Sequence, residues 1–263
     1  MSSVTRPVRV RFAPSPTGRT HLGSGRTALY NYLLARQTGG QFILRIEDTD
    51  QKRYMAGAED ELIKSLKLLG LDWDEGVDVG GDYGPYRQTE RKAIYQRYAR
   101  QLIENDHAYA CFCSPERLRT SRTARQKKGH FAGYDGKCRD IPLAEADRRV
   151  ADGESHVIRF KMPRDGSITM IDALRGEITV ENKTLDDFIL VKSDGLPVYH
   201  LAVVVDDHLM AISHVFRTSE WLPTFPLHGH LYRSFGWDQP IWVHPSIFLK
   251  PSGKGKMSKR DTE

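Results

Sequence analysis

The sequence lacks long apolar runs and has few cysteines. No segment approaches the roughly 18 consecutive apolar residues that a membrane-spanning helix needs, and no apolar signal core follows the charges at positions 1–10. The 3 cysteines cannot all pair with one another, which excludes the disulfide framework of a small secreted protein. We therefore expect a protein that works in the reducing cytoplasm and is not attached to a membrane.

Internal repeats and low-complexity segments are also missing. The 22 Gly and 13 Pro are spread along the chain without a period, so collagen-like and solenoid folds are excluded. Hydrophobic residues make up 39% and charged residues 28% of the sequence, which is typical of a globular protein and not of a disordered one. A length of 263 residues accommodates one large or two modest domains.

The net charge of +5 is concentrated in two stretches. Positions 117–128 hold six basic residues and no acidic one, and positions 250–260 hold four lysines and an arginine. Stretches of this kind either form a solvated surface or contact phosphate groups. The charges alone leave both interpretations open.

The pattern of positions 8–46 is typical of a nucleotide-binding unit. Apolar residues predict strands at 8–12 and 42–46 and a helix at 27–37, and a loop rich in glycine and proline occupies 13–23. Strand, glycine-rich loop, helix and strand within about 40 residues form a right-handed crossover unit. The predicted fold class is therefore α/β, with a Rossmann-type parallel sheet.

The sheet is predicted to be interrupted once. Between positions 111 and 191 the pattern changes to short alternating segments, which predict an inserted α+β module. The predicted domains are 1–106 (first half of the Rossmann domain), 107–197 (inserted module) and 198–263 (second half). The other predicted elements are helices at 57–69, at 89–104 with Thr89 as its cap and at 224–235, strands at 156–162, 167–171, 177–180 and 214–217, and a buried strand at 199–205 that ends in Asp206 and Asp207.

Two loops carry residue types that bind a nucleoside triphosphate. Gly18 and Gly23 let the backbone approach a ligand closely, His21 adds a donor, and the following helix directs free N–H groups at a phosphate. Lys256 and Lys259 are spaced to stabilise the charge that develops on a pyrophosphate leaving group. Each loop taken alone also has an ordinary explanation. His21 would be a loop histidine with its hydrogen bonds satisfied within the protein, and the lysines would belong to a basic tail.

Six segments together resemble the glutamyl-tRNA synthetases, a branch of the class I aminoacyl-tRNA synthetases. The resemblance implies that ATP with Mg2+ binds to a Rossmann fold and that the inserted module holds the acceptor end of tRNA. It implies a monomer that joins L-glutamate to tRNA-Glu through glutamyl-adenylate, and relatives generally need bound tRNA for the first step. The segments are 11–23, Arg45-Ile46-Glu47-Asp48-Thr49-Asp50, Gly84-Pro85-Tyr86-Arg87-Gln88, Tyr134-Asp135-Gly136-Lys137-Cys138-Arg139, 199–207 and Lys256-Met257-Ser258-Lys259-Arg260.

The resemblance also implies active-site residues. A glutamate side chain requires a guanidinium, whose planar fork matches a carboxylate, and its α-ammonium group requires an acid. Arg11 is implied for the side-chain carboxylate and Glu47 for the α-amino group, while the division of the two carboxylates between Arg11 and Arg217 stays open. The implied residues are Arg11, Ala13, Ser15, Glu47, Tyr199, Arg217 and Trp221 for glutamate, His21, Gly23, Lys256 and Lys259 for ATP (His21, Lys256 and Lys259 being catalytic), and Asp50 for tRNA.

The cysteines of the inserted module suggest a structural zinc site. Cys111, Cys113 and Cys138 offer thiolates, the preferred ligands of structural zinc, but four ligands are usual. The resemblance to zinc-containing relatives implies Tyr134 as the fourth ligand, and Asp140 stands where some relatives carry a histidine. The alternative is a set of three reduced, buried thiols.

Other functions remain as alternatives. A short paralogue of the same family attaches glutamate to queuosine in tRNA-Asp. The chain ends soon after Lys259, where family members continue, so we expect a catalytic fragment without an anticodon-binding region. Two further candidates are a nucleotidyltransferase and a catalytically silent module that binds an acceptor stem. Ser24 counts against the nucleotidyltransferase.

Single residues also have structural alternatives to their implied roles. Glu47 would then form a salt bridge at the end of a strand, and Tyr199 and Trp221 would be core residues.

Overall fold

The computed structural model describes residues 7–18, 22–129, 133–250 and 252. No helix within these residues is both long and apolar enough to cross a bilayer. The strands are β1 (Arg9–Phe12), β2 (Gln41–Leu44), β3 (Glu75–Gly76), β4 (Ala108–Cys111), β5 (Val157–Phe160), β6 (Ser167–Asp172), β7 (Gly176–Glu181), β8 (Ile189–Val191), β9 (His214–Phe216) and β10 (Ile241–Val243). The α-helices are α1 (Leu22–Thr38), α2 (Ala58–Leu68), α3 (Lys92–Glu104), α4 (Pro115–Lys127), α5 (Leu143–Ala151), α6 (Tyr199–Leu209) and α7 (Phe225–Phe235).

The main sheet is mostly parallel, which confirms the predicted fold class. Within the described residues its seven strands have the order β3-β2-β1-β9-β10-β6-β7, and only β7 runs antiparallel to its neighbour. The parallel strands β1 and β2 are adjacent and are joined through α1, as the crossover unit requires. Val10 and Phe42 on these strands pack against Ala28 of α1 and Leu66 of α2 in one buried cluster. Polar residues that follow the parallel strands therefore gather at one edge of the sheet.

A second, antiparallel sheet has the order β4-β5-β8 in the part of the chain that the structure describes. It lies, with α4 and α5, in the range predicted as an inserted module. The prediction put β6 and β7 in the same module, but β6 pairs with β10 through Asp172 and Trp242 and so extends the main sheet. The boundaries at 107 and 197 stay a prediction.

The segment 199–205 is helical, so the strand predicted there is wrong. It forms the first part of α6, in which residues 201–207 are all buried, and α6 packs against α3, α7 and β8. A helix that is surrounded by protein is apolar on all sides, and its sequence then contains the same unbroken apolar run as a buried strand. Asp206 and Asp207 therefore project from a core helix and not from the end of a strand.

The helix predicted from Thr89 begins later than expected. A short 3-10 helix occupies Gln88–Arg91, and α3 starts at Lys92. The Thr89 hydroxyl donates to Asp48 Oδ2 over 2.6 Å, and the Thr89 N–H donates to Asp48 Oδ1 over 2.9 Å. Thr89 is thus not the cap of α3 but ties this segment to the loop after β2.

Candidate active site

Polar side chains meet at the carboxyl ends of four neighbouring strands. Arg11 lies at the end of β1, Glu47 follows β2, Arg217 follows β9 and His244 follows β10. The strands β2, β1, β9 and β10 are adjacent in this order and run parallel. Open parallel sheets bind their ligands at this edge, which makes it the candidate active site.

Arg11 is held by a buried carboxylate of α6. Its Nε and Nη2 atoms donate to Asp207 Oδ1 and Oδ2 over 2.9 and 3.1 Å. Arg45 Nη1 donates to the same Asp207 Oδ1 over 2.8 Å. Burial by itself raises the pKa of Asp207, but the two guanidiniums outweigh it and hold the pKa below the ordinary value. One ionised carboxylate therefore fixes two desolvated arginines.

Among the described residues, the outer edge of Arg11 has one weak partner. Nη1 is 3.5 Å from the Phe216 carbonyl oxygen, at the limit of hydrogen bonding. A guanidinium offers a second two-pronged edge, formed by its two terminal nitrogens. Because Asp207 occupies the Nε edge, the terminal edge of Arg11 is suited to a carboxylate ligand.

Glu47 is a buried acid beside these arginines. Its Oε1 accepts from Arg45 Nη2 over 3.0 Å, and its backbone N–H donates to the Pro14 carbonyl over 2.9 Å. Burial raises the pKa of Glu47 to about 7, although the charges of Arg45 and Arg11 oppose the rise. The group therefore changes charge near neutral pH. The contact with Arg45 is a salt bridge of the kind expected as the alternative role of Glu47. The role of Glu47 in binding a ligand therefore stays a prediction.

Arg217 has one nitrogen left for a ligand. Its Nε donates to His244 Nε2 and its Nη1 donates to His228 Nδ1, both over 2.8 Å. Nη2 is buried and has no hydrogen-bond partner among the described residues. Burial lowers the pKa of Arg217, and the neighbouring Tyr199 and Asp207 offset the fall only in part, so an anionic ligand would stabilise the charged form.

Tyr199 and Trp221 pack against each other next to Arg217. Their ring centroids are 4.6 Å apart. Tyr199 is the first residue of α6, and burial raises the pKa of its hydroxyl, while Arg217, Glu47 and Arg11 are near enough to shift this pKa too. The structure thus brings together five of the seven residues predicted to bind glutamate.

The remaining predicted ligands lie around the loop after β1. Ala13 and Ser15 are in that loop, and Gly23 is in the first turn of α1. Asp50, in the loop after β2, pairs with Arg53 over 2.6 Å. Three predicted residues lie outside the described part of the chain: His21, Lys256 and Lys259.

Sequence reasoning missed the residues that hold the two arginines. Asp207 fixes Arg11 and Arg45 together, while His228 and His244 fix Arg217. A signal existed for His244, because a polar residue directly after an apolar strand marks the edge where parallel strands end. Asp207 carried the same signal at the end of a predicted strand, but nothing local identified its contact with Arg11 across 196 positions of sequence.

The cysteines of the second sheet and the following loops form a compact cluster with Tyr134. The sulfurs of Cys111, Cys113 and Cys138 lie within 4.8 Å of one another. The Tyr134 hydroxyl oxygen is 3.3 Å from Cys111 Sγ and 3.4 Å from Cys113 Sγ, and Cys113 Sγ is 3.5 Å from Cys138 Sγ. Tetrahedral zinc with Zn–S bonds of about 2.3 Å separates its sulfurs by about 3.8 Å. The four donors therefore fit a zinc ion with small shifts.

Two arginines surround this cluster. Arg117 Nη1 is 3.2 Å from Cys113 Sγ, and the Arg159 guanidinium lies 4.2 Å from the centre of the Tyr134 ring. Burial raises the pKa of Cys113 to about 11, which keeps its thiol neutral when no metal ion binds it. Zinc ligation by three thiolates leaves a net negative charge, and the two guanidiniums are placed to offset that charge.

Known proteins of one family match nearly the whole chain. The family model described as "tRNA synthetases class I (E and Q), catalytic domain" matches residues 7–263. The glutamate–tRNA ligase of Amoebophilus asiaticus is 52% identical over 98% of this chain and 52% of that protein, and that of Dehalococcoides mccartyi is 51% identical over 98% and 51%. A crystal structure of a glutamate tRNA ligase from Elizabethkingia meningosepticum, in complex with its amino acid, matches with a TM-score of 0.92 and 48% identity over 97% of this chain and 52% of that one. The chain thus spans about half the length of these relatives.

Proposed function

Because this chain belongs to the catalytic-domain family of the class I tRNA synthetases for glutamate and glutamine, we propose that it carries out the chemistry of a glutamate–tRNA ligase. It activates L-glutamate with ATP to glutamyl-adenylate and transfers the glutamyl group to the terminal adenosine of tRNA-Glu. The observation that supports this most is the pair of buried arginines, since Nη2 of Arg217 and the outer edge of Arg11 remain for a carboxylate.

The charged groups of glutamate have complementary partners at this edge of the sheet. The side-chain carboxylate binds Arg11 and Arg217, and the α-ammonium group binds Glu47. The α-carboxylate then stays available to attack the α-phosphorus of ATP, so the protein supplies alignment and charge and no covalent nucleophile. Tyr199 and Trp221 exclude water from the substrate side chain.

We assign the ATP site to the start of α1 together with His21, Lys256 and Lys259, which lie outside the described residues. The N-terminus of α1, with Gly23 in its first turn, directs free N–H groups towards a phosphate. His21 donates to the same phosphates, and Lys256 and Lys259 stabilise the negative charge of the departing pyrophosphate. Mg2+, when bound with ATP, neutralises further phosphate charge. These assignments rest on the family resemblance.

The inserted module is proposed to hold the acceptor end of tRNA. Its helix α4 contains no buried residue, begins at Pro115 and is capped by Ser114, whose Oγ accepts the Arg117 N–H over 3.2 Å. Basic side chains along such a helix attract the phosphates of a nucleic acid. Asp50 is proposed to face the terminal adenosine. The basic residues of α4 are Arg117, Arg119, Arg122, Arg125 and Lys127.

Amino-acid-dependent exchange of pyrophosphate into ATP tests this function. We expect the chain to catalyse exchange with glutamate, and not with glutamine or aspartate, when tRNA-Glu is present. Glutamylation of tRNA-Glu supports the proposal. Glutamylation of only queuosine-bearing tRNA-Asp would assign the chain to the short paralogue, and tRNA binding without exchange would reduce it to an acceptor-binding module.

Glutamate binding is expected to weaken as the pH falls below 7. The pKa of Glu47 is raised to about 7 by burial, and a protonated Glu47 cannot pair with the α-ammonium group. Between pH 8 and pH 6 the ionised fraction falls about tenfold, so KM for glutamate rises by about the same factor. Steady-state exchange at several pH values measures this, with Glu47→Gln assayed over the same pH range as the control. In Glu47→Gln, KM is high and its pH dependence is lost, whereas the same pH profile in wild type and Glu47→Gln would contradict the assignment.

We propose that Cys111, Cys113, Tyr134 and Cys138 hold a structural zinc ion that fixes the inserted module. The wild-type chain is expected to contain about one zinc per molecule by elemental analysis. Tyr134→Phe keeps the ring and removes the oxygen ligand, so zinc affinity falls by about tenfold or more. Chelation is expected to lower the midpoint of thermal unfolding.

Two variants sharpen this zinc experiment. Asp140→Ala removes the exposed acid next to the cluster and is expected to retain the metal. Cys113→Ser is expected to lose it, because the serine hydroxyl is a poor zinc ligand. A wild-type chain purified with added zinc that contains no metal after dialysis would instead identify Cys111, Cys113 and Cys138 as three reduced thiols.

A further inference from the structure

A chain of buried hydrogen bonds runs behind Arg217. Asp172 Oδ2 is 2.7 Å from His244 Nδ1, and His244 Nε2 is 2.8 Å from Arg217 Nε. On the other side, Arg217 Nη1 is 2.8 Å from His228 Nδ1, and His228 Nε2 is 3.0 Å from His200 Nδ1. The chain joins the end of β6 to α7 and α6 through one guanidinium.

The direction of these bonds follows from Arg217, which has donors only. His244 must present the lone pair of Nε2 to it, so His244 carries its proton on Nδ1 and donates to Asp172. His228 must present the lone pair of Nδ1, so its Nε2–H donates to His200. Both rings are therefore neutral. In agreement, burial lowers the pKa of His244 and of His200 to about 4 and lowers that of His228 well below its ordinary value.

Asp172 can fix the proton of His244 because its other oxygen is already occupied. Asp172 Oδ1 accepts the backbone N–H groups of Leu174 and Arg175 over 3.1 and 3.0 Å. These two bonds set the orientation of the carboxylate. Oδ2 then faces His244 Nδ1 and can only accept a hydrogen bond from it. The tautomer of His244 is thus determined by the turn that follows β6.

The two histidines decide which edge of Arg217 faces the site. They occupy Nε and Nη1, and Nη2 is the buried nitrogen without a partner among the described residues. We propose that Asp172, His244 and His228 are positioning residues that give the site its preference for glutamate by holding Arg217 with Nη2 turned towards the substrate carboxylate. This inference rests on the proposed function.

The variant Asp172→Asn separates positioning from folding. Asparagine has one oxygen, and the two backbone N–H groups of Leu174 and Arg175 require it at Oδ1. Its amide nitrogen then faces His244 Nδ1 and moves the ring proton to Nε2, where it opposes the N–H of Arg217. We expect KM for glutamate to rise about 10–100-fold. The value of kcat at saturating glutamate and KM for ATP are expected to change less than about threefold, which loss of the folded structure would not produce.

Neighbouring histidines of α7 provide a matched control. His230 is also buried, but its Nε2 contacts Asn182 Oδ1 over 2.9 Å. His230→Leu is expected to leave KM for glutamate unchanged, and His228→Leu is expected to raise it as Asp172→Asn does. His228→Asn restores an acceptor at the position of Nδ1 and is expected to recover most of the loss. Equal effects of His228→Leu and His230→Leu on KM for glutamate would overturn the proposal.

Nitrogen-15 NMR of the histidine side chains reads the tautomers directly. We expect His244 to be protonated at Nδ1 in the wild type and at Nε2 in Asp172→Asn. An unchanged tautomer in the variant, or KM for glutamate within about threefold of wild type, would overturn the proposal. A wild type that does not use glutamate would contradict the proposed function. In that case the NMR spectra still test whether His244 and His228 accept hydrogen bonds from Arg217, because they do not depend on the substrate.

Discussion

Replacing Arg217 by glutamine is expected to lower kcat/KM for glutamate about 10²–10³-fold, since truncating one member of a buried charged contact costs roughly 3–4 kcal/mol. The glutamine amide still donates to a neighbouring histidine but supplies neither the charge nor the further N–H donor that Arg217 Nη2 offers to a carboxylate. The buried Nη2, which has no partner in the described residues, marks Arg217 as the group whose interactions a ligand completes. Exchange kinetics with glutamate as the varied substrate measure the effect.

The same variant is expected to discriminate less between glutamate and glutamine. Removing the guanidinium weakens the binding of a neutral amide much less than the binding of a carboxylate. The ratio of kcat/KM for glutamate to kcat/KM for glutamine should therefore fall. Arg36→Gln is the matched control, because Arg36 is an arginine far from the site that pairs with Asp74 at the surface. The binding role of Arg217 would be contradicted if Arg217→Gln and Arg36→Gln gave the same glutamate kinetics.

Asp207→Asn is expected to destabilise the protein by about 3–5 kcal/mol, the cost of breaking a buried ion pair from one side. Asp207 is 2% exposed and bonds Arg11 and Arg45, which are 5% and 0% exposed. Asparagine nearly preserves the shape and removes the charge, so two guanidiniums lose their shared counter-charge. Denaturant unfolding followed by circular dichroism measures the change in the free energy of unfolding.

A surface ion pair serves as the reference for this experiment. Glu104 pairs with Arg100 over 2.8 Å one helical turn away, and both side chains are about half exposed. Glu104→Gln is expected to cost less than about 1 kcal/mol, because water screens such a pair. If Asp207→Asn cost no more than Glu104→Gln, the account of Asp207 as the anchor of the two arginines would be wrong.

Local sequence patterns were sufficient to predict the first crossover unit. Short apolar runs at β1 and β2, the glycine-rich loop and the periodicity of α1 each depend on residues close in sequence. The same patterns identify a strand without identifying its partner. β6 alternates buried and exposed residues as predicted, but only its pairing with β10 shows that it belongs to the main sheet.

The candidate site was predictable where it consists of motif residues and not where it depends on tertiary contacts. Arg11 and Glu47 could be named because they stand in segments that resemble the family, and the resemblance also implied Arg217. Arg45 and Asp207 stand in such segments too, but their contact across 162 positions could not be predicted, and neither could the contact of His244 with Asp172 across 72 positions. The error at 199–205 has a related cause, because a fully buried helix carries no polar face to reveal its period.

A crystal structure with a non-hydrolysable analogue of glutamyl-adenylate tests the central claim most directly. The account predicts the side-chain carboxylate of the analogue within hydrogen-bond distance of Arg217 Nη2 and of the terminal nitrogens of Arg11, with its ammonium group at Glu47. An analogue that binds with its carboxylate away from both arginines would contradict the account, even in a chain that activates glutamate.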